Sequence, residues 1–273
     1  MLDPNSLVAL PLVKDIAAHD QMAQGHLGHY FGVGLSAIWT LENVLRGRES
    51  LLQQGKPIQS ILDFGCGCGC GCGRIGRFLR ARFPTAELSA TDFRKSDVDW
   101  YVKHFDAALA PDTLPPDTYD LIWLGSVFTH LSEAAATALL AKLLPSLRAD
   151  GVLTFSTQGR FSYEMVRNAT TSEAEANPWL AYNLIPSLRQ ELVAGYERTG
   201  YGYVEYPGDT GYGVCIADPI WYSNTVFGLA DVTQIFFQER GLDDHQDVVG
   251  FMRRGLRDSR TMRFVQMGRA IAG

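Results

Sequence analysis

Between Ile61 and Arg77 the chain reads ILDFGCGCGCGCGRIGR. A short apolar run, Ile61-Leu62, leads to an acid, Asp63. Glycine then takes every second position from Gly65 to Gly73, interleaved with cysteine, and the stretch leaves through Arg74-Ile75-Gly76-Arg77. A strand, a glycine-rich turn and a helix in that order build a ligand crevice at the carboxyl end of the strand. Glycine serves there because the backbone turns tightly and approaches the ligand with no Cβ in between. The start of the following helix offers unpaired N–H groups and the positive end of its dipole to an anionic group.

The cysteines invite a metal, and their spacing argues against one. Cys66, Cys68, Cys70 and Cys72 stand two apart, and Cys215 is far away. Alternate residues of an extended chain lie roughly 6.5 to 7 Å apart at Cα, at the edge of disulfide geometry. Zinc sites pair C-x2-C with a second ligand pair, and none follows. No metal is expected. Two organic ligands compete for the loop instead. Gly71-Cys72-Gly73-Arg74-Ile75-Gly76 satisfies the dinucleotide pattern G-x-G-x-x-G, with Asp92 near the spacing of its ribose-binding acid. Asp63, Gly65, Gly67 and Gly69 satisfy D-x-G-x-G-x-G, the loop that takes the methionine end of S-adenosylmethionine. The acid two residues before the first glycine favours the methyl donor. An NAD(P)-dependent oxidoreductase is the alternative, and a non-catalytic binding protein with an impaired loop is a third reading.

Outside the loop, two histidines could act as general bases: His130 in FTHL, past an apolar run, and His245 between Asp244 and Asp247. A histidine flanked by acids can be oriented and kept basic. Tyr30 and Tyr212 are candidates to close over the site. His26 and His29, three apart, read as an ordinary surface or packed pair, and Arg74, Arg77, Arg80 and Arg82 as the solvated face of a helix.

These residues need elements to hold them. Residues Asn5 to Gln54 read as helical, most clearly over His29–Arg46, where apolar residues recur at helical spacing. From Ile61 strands and helices alternate: helix Arg74–Arg82, strand Ala86–Thr91, helix Ser96–Phe105, then a Pro-rich connector Ala110–Pro116. Tyr119–Leu124 is a near-continuous apolar strand of the kind buried on both faces. A leucine-rich helix and the strand Val152–Ser156 follow. Arg160 to Gly200 reads as a helical excursion with a polar turn at Thr170–Asn177, and Gly200–Gly213 as a loop beside a site. Strand Val214–Ala217, helix Pro219–Phe227 and an antiparallel pair, Val232–Phe237 with Val248–Met252, close the pattern. The alternation predicts a doubly wound, Rossmann-like α/β fold with a mostly parallel seven-stranded sheet and an antiparallel C-terminal hairpin.

The chain has 273 residues, 46% hydrophobic and 20% charged, enough to bury a sizeable core. A formal net charge of −6 argues against a general nucleic-acid binder. No apolar run reaches the ~20 residues of a membrane span, and a cytoplasmic location is expected.

In this arrangement the chain resembles the class I S-adenosylmethionine-dependent methyltransferases. ILDFGCGCG with RIGRFL looks like their first motif and LSATDF, around Asp92, like their second-strand acid. YDLIWLGSVFTHLSE and LRADGVLTFSTQG are similar to their fourth and fifth strands. DTGYGVCIADPIW with ERGLDDHQDVV looks like the last hairpin of one bacterial branch. The loop departs from that branch by carrying about four extra residues. The resemblance implies that Asp63, Gly65, Gly67 and Gly69 line the methionine portion, that Asp92 takes the ribose hydroxyls and that Phe93 packs near the adenine. It places Ser126, Val127 and Phe128 beneath donor and acceptor. The implied organisation is a helical N-terminal segment (1–56), a donor-binding core (57–159), a cap insertion (160–213), C-terminal strands completing the sheet (214–253) and a tail (254–273). The implied activity is methyl transfer from S-adenosyl-L-methionine to a small-molecule or glycan acceptor, on oxygen.

Overall fold

The computed structural model describes residues 4–23, 26–53, 55–67, 73–170, 172 and 186–255. Seven strands form the main sheet in the order β3-β2-β1-β4-β5-β9-β8. They are β1 (Ser60–Phe64), β2 (Glu87–Thr91), β3 (Ala108–Leu109), β4 (Tyr119–Leu124), β5 (Leu147–Thr157), β8 (Val232–Leu242) and β9 (Gln246–Arg253). β3 through β5 run parallel, and β9 lies antiparallel between β5 and β8. This is the expected doubly wound sheet with its antiparallel hairpin. The order reverses between β1 and β4, which leaves a crevice beyond their carboxyl ends.

The central strands carry the signature of their position. All of Tyr119–Leu124 is buried, as a strand covered by helices on both faces requires. One face packs beneath α2 (Leu27–Leu52), α3 (Gly76–Arg82) and α4 (Lys95–Phe105), through Val33, Ile38, Leu41, Phe78 and Tyr101. The other packs beneath α5 (Glu133–Leu143) and α8 (Pro219–Leu229), through Leu140, Leu143, Phe155 and Tyr222. The caps are local. Ser132 Oγ accepts from the Ala135 N–H at 3.3 Å, and Asp218 accepts from the Ile220 N–H at 2.8 Å ahead of Pro219.

Several elements differ from the sequence expectation. Among its described residues the N-terminal part is helical only at α1 (Pro4–Val8) and in α2, with a short 3-10 turn at Gln21–Ala23 between them. β3 is a two-residue strand at the sheet edge, too short for any apolar alternation to announce it. Gly200–Gly213 is not all loop: β6 (Tyr201–Glu205) pairs antiparallel with β7 (Gly213–Ala217). β7 therefore sits in a separate two-stranded ribbon rather than completing the main sheet. That ribbon packs against α6 (Arg160–Asn168) and α7 (Pro186–Thr199) through Val166, Leu192, Val204 and Ile216. Most of the polar turn at 170–177 and the tail from 256 lie outside the described residues, as do Gly69 and the cysteines at 68, 70 and 72.

Candidate functional site

Two adjoining cavities open at the carboxyl ends of β1 and β4. Both are bordered by Gly65, Gly67, Gly125 and Ser126. The first, of about 50 Å³, lies under α2, with Asp63, Cys66, Arg74 and Leu242 in its walls. The second, of about 460 Å³, is lined by Phe64, Asp92, Phe93, Val127, His130 and Tyr212 among others. Together they have the size of a small-molecule site, apolar with a few convergent polar groups.

The glycine loop is shaped by its neighbours. Gly65 has a φ of +82°, and a Cβ there would stand 2.3 Å from Val127 Cγ2. A Cβ on Gly67 would stand 2.5 Å from the Asp92 carboxylate, so only glycine lets the loop and the acid meet. The Gly67 N–H donates to Asp92 Oδ2 at 2.9 Å, and the Arg94 N–H donates to Oδ1 at 3.0 Å. Burial raises the Asp92 pKa, against those two N–H bonds, which lower it. At the base of the loop the Gly73 N–H donates to Cys66 O at 3.2 Å, tying its two ends together.

Asp63 is 2% exposed, and the Tyr101 hydroxyl donates to its Oδ2 at 2.8 Å. Burial pushes its pKa up to about 7; Tyr101 opposes the rise and Asp92 adds to it. A carboxyl so placed gains from a cation in the cavity. Arg74 faces the same cavity. Among the described residues it makes no hydrogen bond or ion pair, and its guanidinium lies 5.8 Å from the Tyr30 ring centroid. Burial likewise raises the Cys66 thiol, which makes it an inert wall residue.

His130 sits in a 3-10 turn (Phe128–His130) after β4. Its Nδ1–H donates to Gly213 O at 2.9 Å, which leaves Nε2 as the acceptor nitrogen. Its ring stacks on Tyr212 at 4.8 Å, and Tyr212 in turn lies 6.2 Å from Phe93. Burial lowers the His130 pKa, so the imidazole is neutral near pH 7. Phe93, 77% exposed, presents its face at the rim of the second cavity. Ser126 takes a left-handed φ of 56° between the two cavities.

Thus Asp63, Gly65, Gly67, Asp92, Phe93, Ser126, Val127 and His130 converge, and Tyr212 joins them. Others do not. Phe128 is fully buried against Phe155 and Tyr222 and lines neither cavity, because the turn after β4 points it back into the core. Tyr30 is also buried, its hydroxyl taking a hydrogen bond from Arg77 at 3.1 Å. His245 stands at the β8–β9 turn, edge-on to Phe161 at 5.8 Å, and lines neither cavity. Its flanking acids are committed elsewhere: Asp244 pairs with Arg240 at 2.6 Å, and Asp247 accepts the Arg240 N–H at 3.0 Å. His29 pairs with Asp243 at 3.0 Å.

The arginine row is not a solvated face either. Arg77 is 1% exposed and donates to Gly73 O, Val13 O and Asp15 O, while Arg80 donates to Phe105 O and Ala86 O. Sequence reasoning missed Arg74 as a cavity residue and Tyr101 as the partner of Asp63. The arginine spacing was the only signal for the first; nothing local marks the second.

No family model matches the chain, and no curated protein does. Among solved structures it is similar to a protein from Pyrococcus horikoshii OT3, at 13% identity and a TM-score of 0.49, over 80% of this chain and 90% of that one. It is similar to an S-adenosylmethionine-dependent methyltransferase from Clostridium acetobutylicum ATCC 824, at 11% identity and a TM-score of 0.49, over 86% and 94%. Human N-acetylserotonin methyltransferase, solved in complex with SAM, matches at 13% identity and a TM-score of 0.46, over 88% of this chain and 61% of that one. Likenesses with TM-scores under 0.5 leave function to the geometry of the chain itself.

Proposed function

We propose that the chain is an S-adenosylmethionine-dependent methyltransferase that acts on an oxygen of a small-molecule or glycan acceptor. One observation carries the reading: a buried acid, Asp63, and a guanidinium, Arg74, that makes no hydrogen bond or ion pair among the described residues, face one cavity, and an apolar cavity with Asp92 at its edge adjoins it. An acid and a cation in the walls of one cavity suit a zwitterionic amino-acid end. An apolar cavity with a rim carboxylate suits a purine and the hydroxyls of its ribose. S-adenosylmethionine joins these two parts through a sulfonium, which Gly125 and Ser126, two of the four residues common to both cavities, would border.

A dinucleotide fits less well. Its pyrophosphate needs free loop N–H groups, yet the Gly67 N–H is taken by Asp92. The helix that should face it is seven residues long and begins only at Gly76. Two acids, Asp63 and Asp92, line the cavities and disfavour an anionic pyrophosphate there.

Bound here, S-adenosylmethionine supplies an electrophilic methyl group. The chain's part is to hold donor and acceptor in line and keep water out. His130, neutral and with Nε2 as acceptor, serves as the base that takes the proton of a hydroxyl acceptor. The ribbon of β6 and β7, which carries Gly213, holds that histidine and borders the acceptor side.

Thermal shift with S-adenosylhomocysteine and with NADH tests the reading. A ligand at 100 times its dissociation constant adds ~2.7 kcal/mol to folded stability. Stabilisation by S-adenosylhomocysteine is expected; stabilisation by NADH alone sinks the proposal, and response to neither points to a non-catalytic relative.

A further inference from the structure

Ser126 is held by a closed set of hydrogen bonds that no local pattern announces. Its N–H donates to Ser156 Oγ at 2.8 Å. Ser156 Oγ spends its own proton on Gln246 Oε1 at 2.7 Å. Gln246 Nε2 donates to Ser126 Oγ at 2.9 Å, and the same Oγ lies 3.1 Å from Oε1. The Thr129 hydroxyl donates to Ser126 O at 2.7 Å. With the Ser156 proton on Oε1, the amide turns its oxygen to Ser156 and its nitrogen to Ser126.

Whether Ser126 receives the Nε2–H or donates to Oε1, its Oγ keeps a lone pair outside the network. That oxygen belongs to one of the four residues that border both cavities, and the other three are glycines. A serine at φ 56° is strained, and such strain persists only where surrounding bonds over-determine it. Ser156 is fully buried at the end of β5, and Gln246 opens β9, so two strands fix a residue that follows a third. The β8–β9 turn is itself tied to α2, since Thr40 Oγ1 donates to Gly241 O at 2.7 Å and the Asp243 N–H to Ser36 Oγ at 3.0 Å.

We propose that Ser126 Oγ is the group that reads the positive charge of the donor's sulfonium, and that Gln246 and Ser156 are positioning residues that aim it. The proposal rests on the methyl-donor reading. The electropositive methyl of a sulfonium donates weak C–H···O contacts to such an oxygen; the thioether left after transfer has neither that methyl nor the charge. The triad therefore favours the loaded donor over the spent one, which helps product leave.

The test is calorimetry of wild type, Ser126→Gly, Gln246→Met and the double variant with S-adenosylmethionine and with S-adenosylhomocysteine. Glycine takes the left-handed backbone without strain, so Ser126→Gly removes the oxygen while leaving the turn intact. Either single variant is expected to weaken S-adenosylmethionine about fivefold, the size of one weak hydrogen bond, with S-adenosylhomocysteine changed less than twofold. The double variant should lose no more than Ser126→Gly alone, since Gln246 acts through Ser126. Equal losses for both ligands, losses that add, or no change in the ratio overturn the proposal. If wild type binds neither ligand, it is the methyl-donor reading that has failed.

Discussion

Asp63→Asn separates what the buried acid costs the fold from what it gives the ligand. Asp63 has an ordinary carboxyl value of 3.8 when exposed and about 7 in the folded chain, raised first by burial. In the window between those values the folded form holds a proton that the unfolded form has released. Stability from this group is therefore full below pH 4 and is lost as pH rises toward 7. A rise of about three in pKa corresponds to ~4 kcal/mol between the two protonation states, the upper bound of the loss by pH 8. Asparagine keeps an acceptor for the Tyr101 hydroxyl, now 2.8 Å from Asp63 Oδ2, and carries no charge to desolvate. Denaturant unfolding at pH 4 and pH 8 should show the variant close to wild type at pH 4 and more stable at pH 8. Donor binding should fall in the variant, since an ammonium loses its counter-charge. Wild-type binding near pH 6.5 should release a proton from Asp63, visible as a dependence of calorimetric heat on the ionisation enthalpy of the buffer. A variant equally destabilised at both pH values refutes the reasoning.

Gly67→Ala places a methyl 2.5 Å from the Asp92 carboxylate; we expect a loss of ~1–3 kcal/mol in stability and of most donor affinity, by unfolding and calorimetry. His130 should be the pH gate of any transfer the chain performs. Its pKa lies below 6.5 through burial, so the rate should rise with pH through that lowered value and then level off, and His130→Gln should abolish the rise. Arg77→Met leaves the carbonyls of Val13 and Asp15 without the guanidinium, for a loss on the order of 3 kcal/mol in chemical denaturation. Deleting 68–71 shortens a loop whose base is tied by the Gly73–Cys66 bond. Lengthening such a loop from roughly seven to eleven residues costs only about 0.4 kcal/mol, so the melting temperature should barely move. Donor binding should tighten, and binding that stays equal or weakens shows that the longer loop already cradles the donor.

Much of this was legible without coordinates. Apolar runs at Ile61–Leu62, Tyr119–Leu124 and Val152–Ser156, separated by helical spacing, already imply a doubly wound sheet, because the periods of strand and helix are local properties. Asp63, Gly65, Gly67 and Asp92 were marked by position relative to strand ends, and the ends of parallel strands are where such folds open. The edge strand Ala108–Leu109 was not, being two residues long, nor was the ribbon strand Tyr201–Glu205, which lies in a stretch rich in glycine, tyrosine and aspartate that reads as a loop.

What the chain order could not decide is which side chain of each marked stretch reaches the cavity. In SVFTH the structure turns Ser126, Val127 and His130 to the cavities and buries Phe128, because Ser126 enters the left-handed region and the turn that follows rotates each neighbour differently. In DDHQD it engages Gln246 with Ser126, while His245 stands against Phe161. Along the arginine row, Arg77 goes into the core and Arg74 faces the cavity. Periodicity along the sequence sets where strands and helices lie and where they end. The direction of a side chain in the turns beyond those ends depends on bonds to residues 30 to 120 positions away, and only the folded chain brings those together.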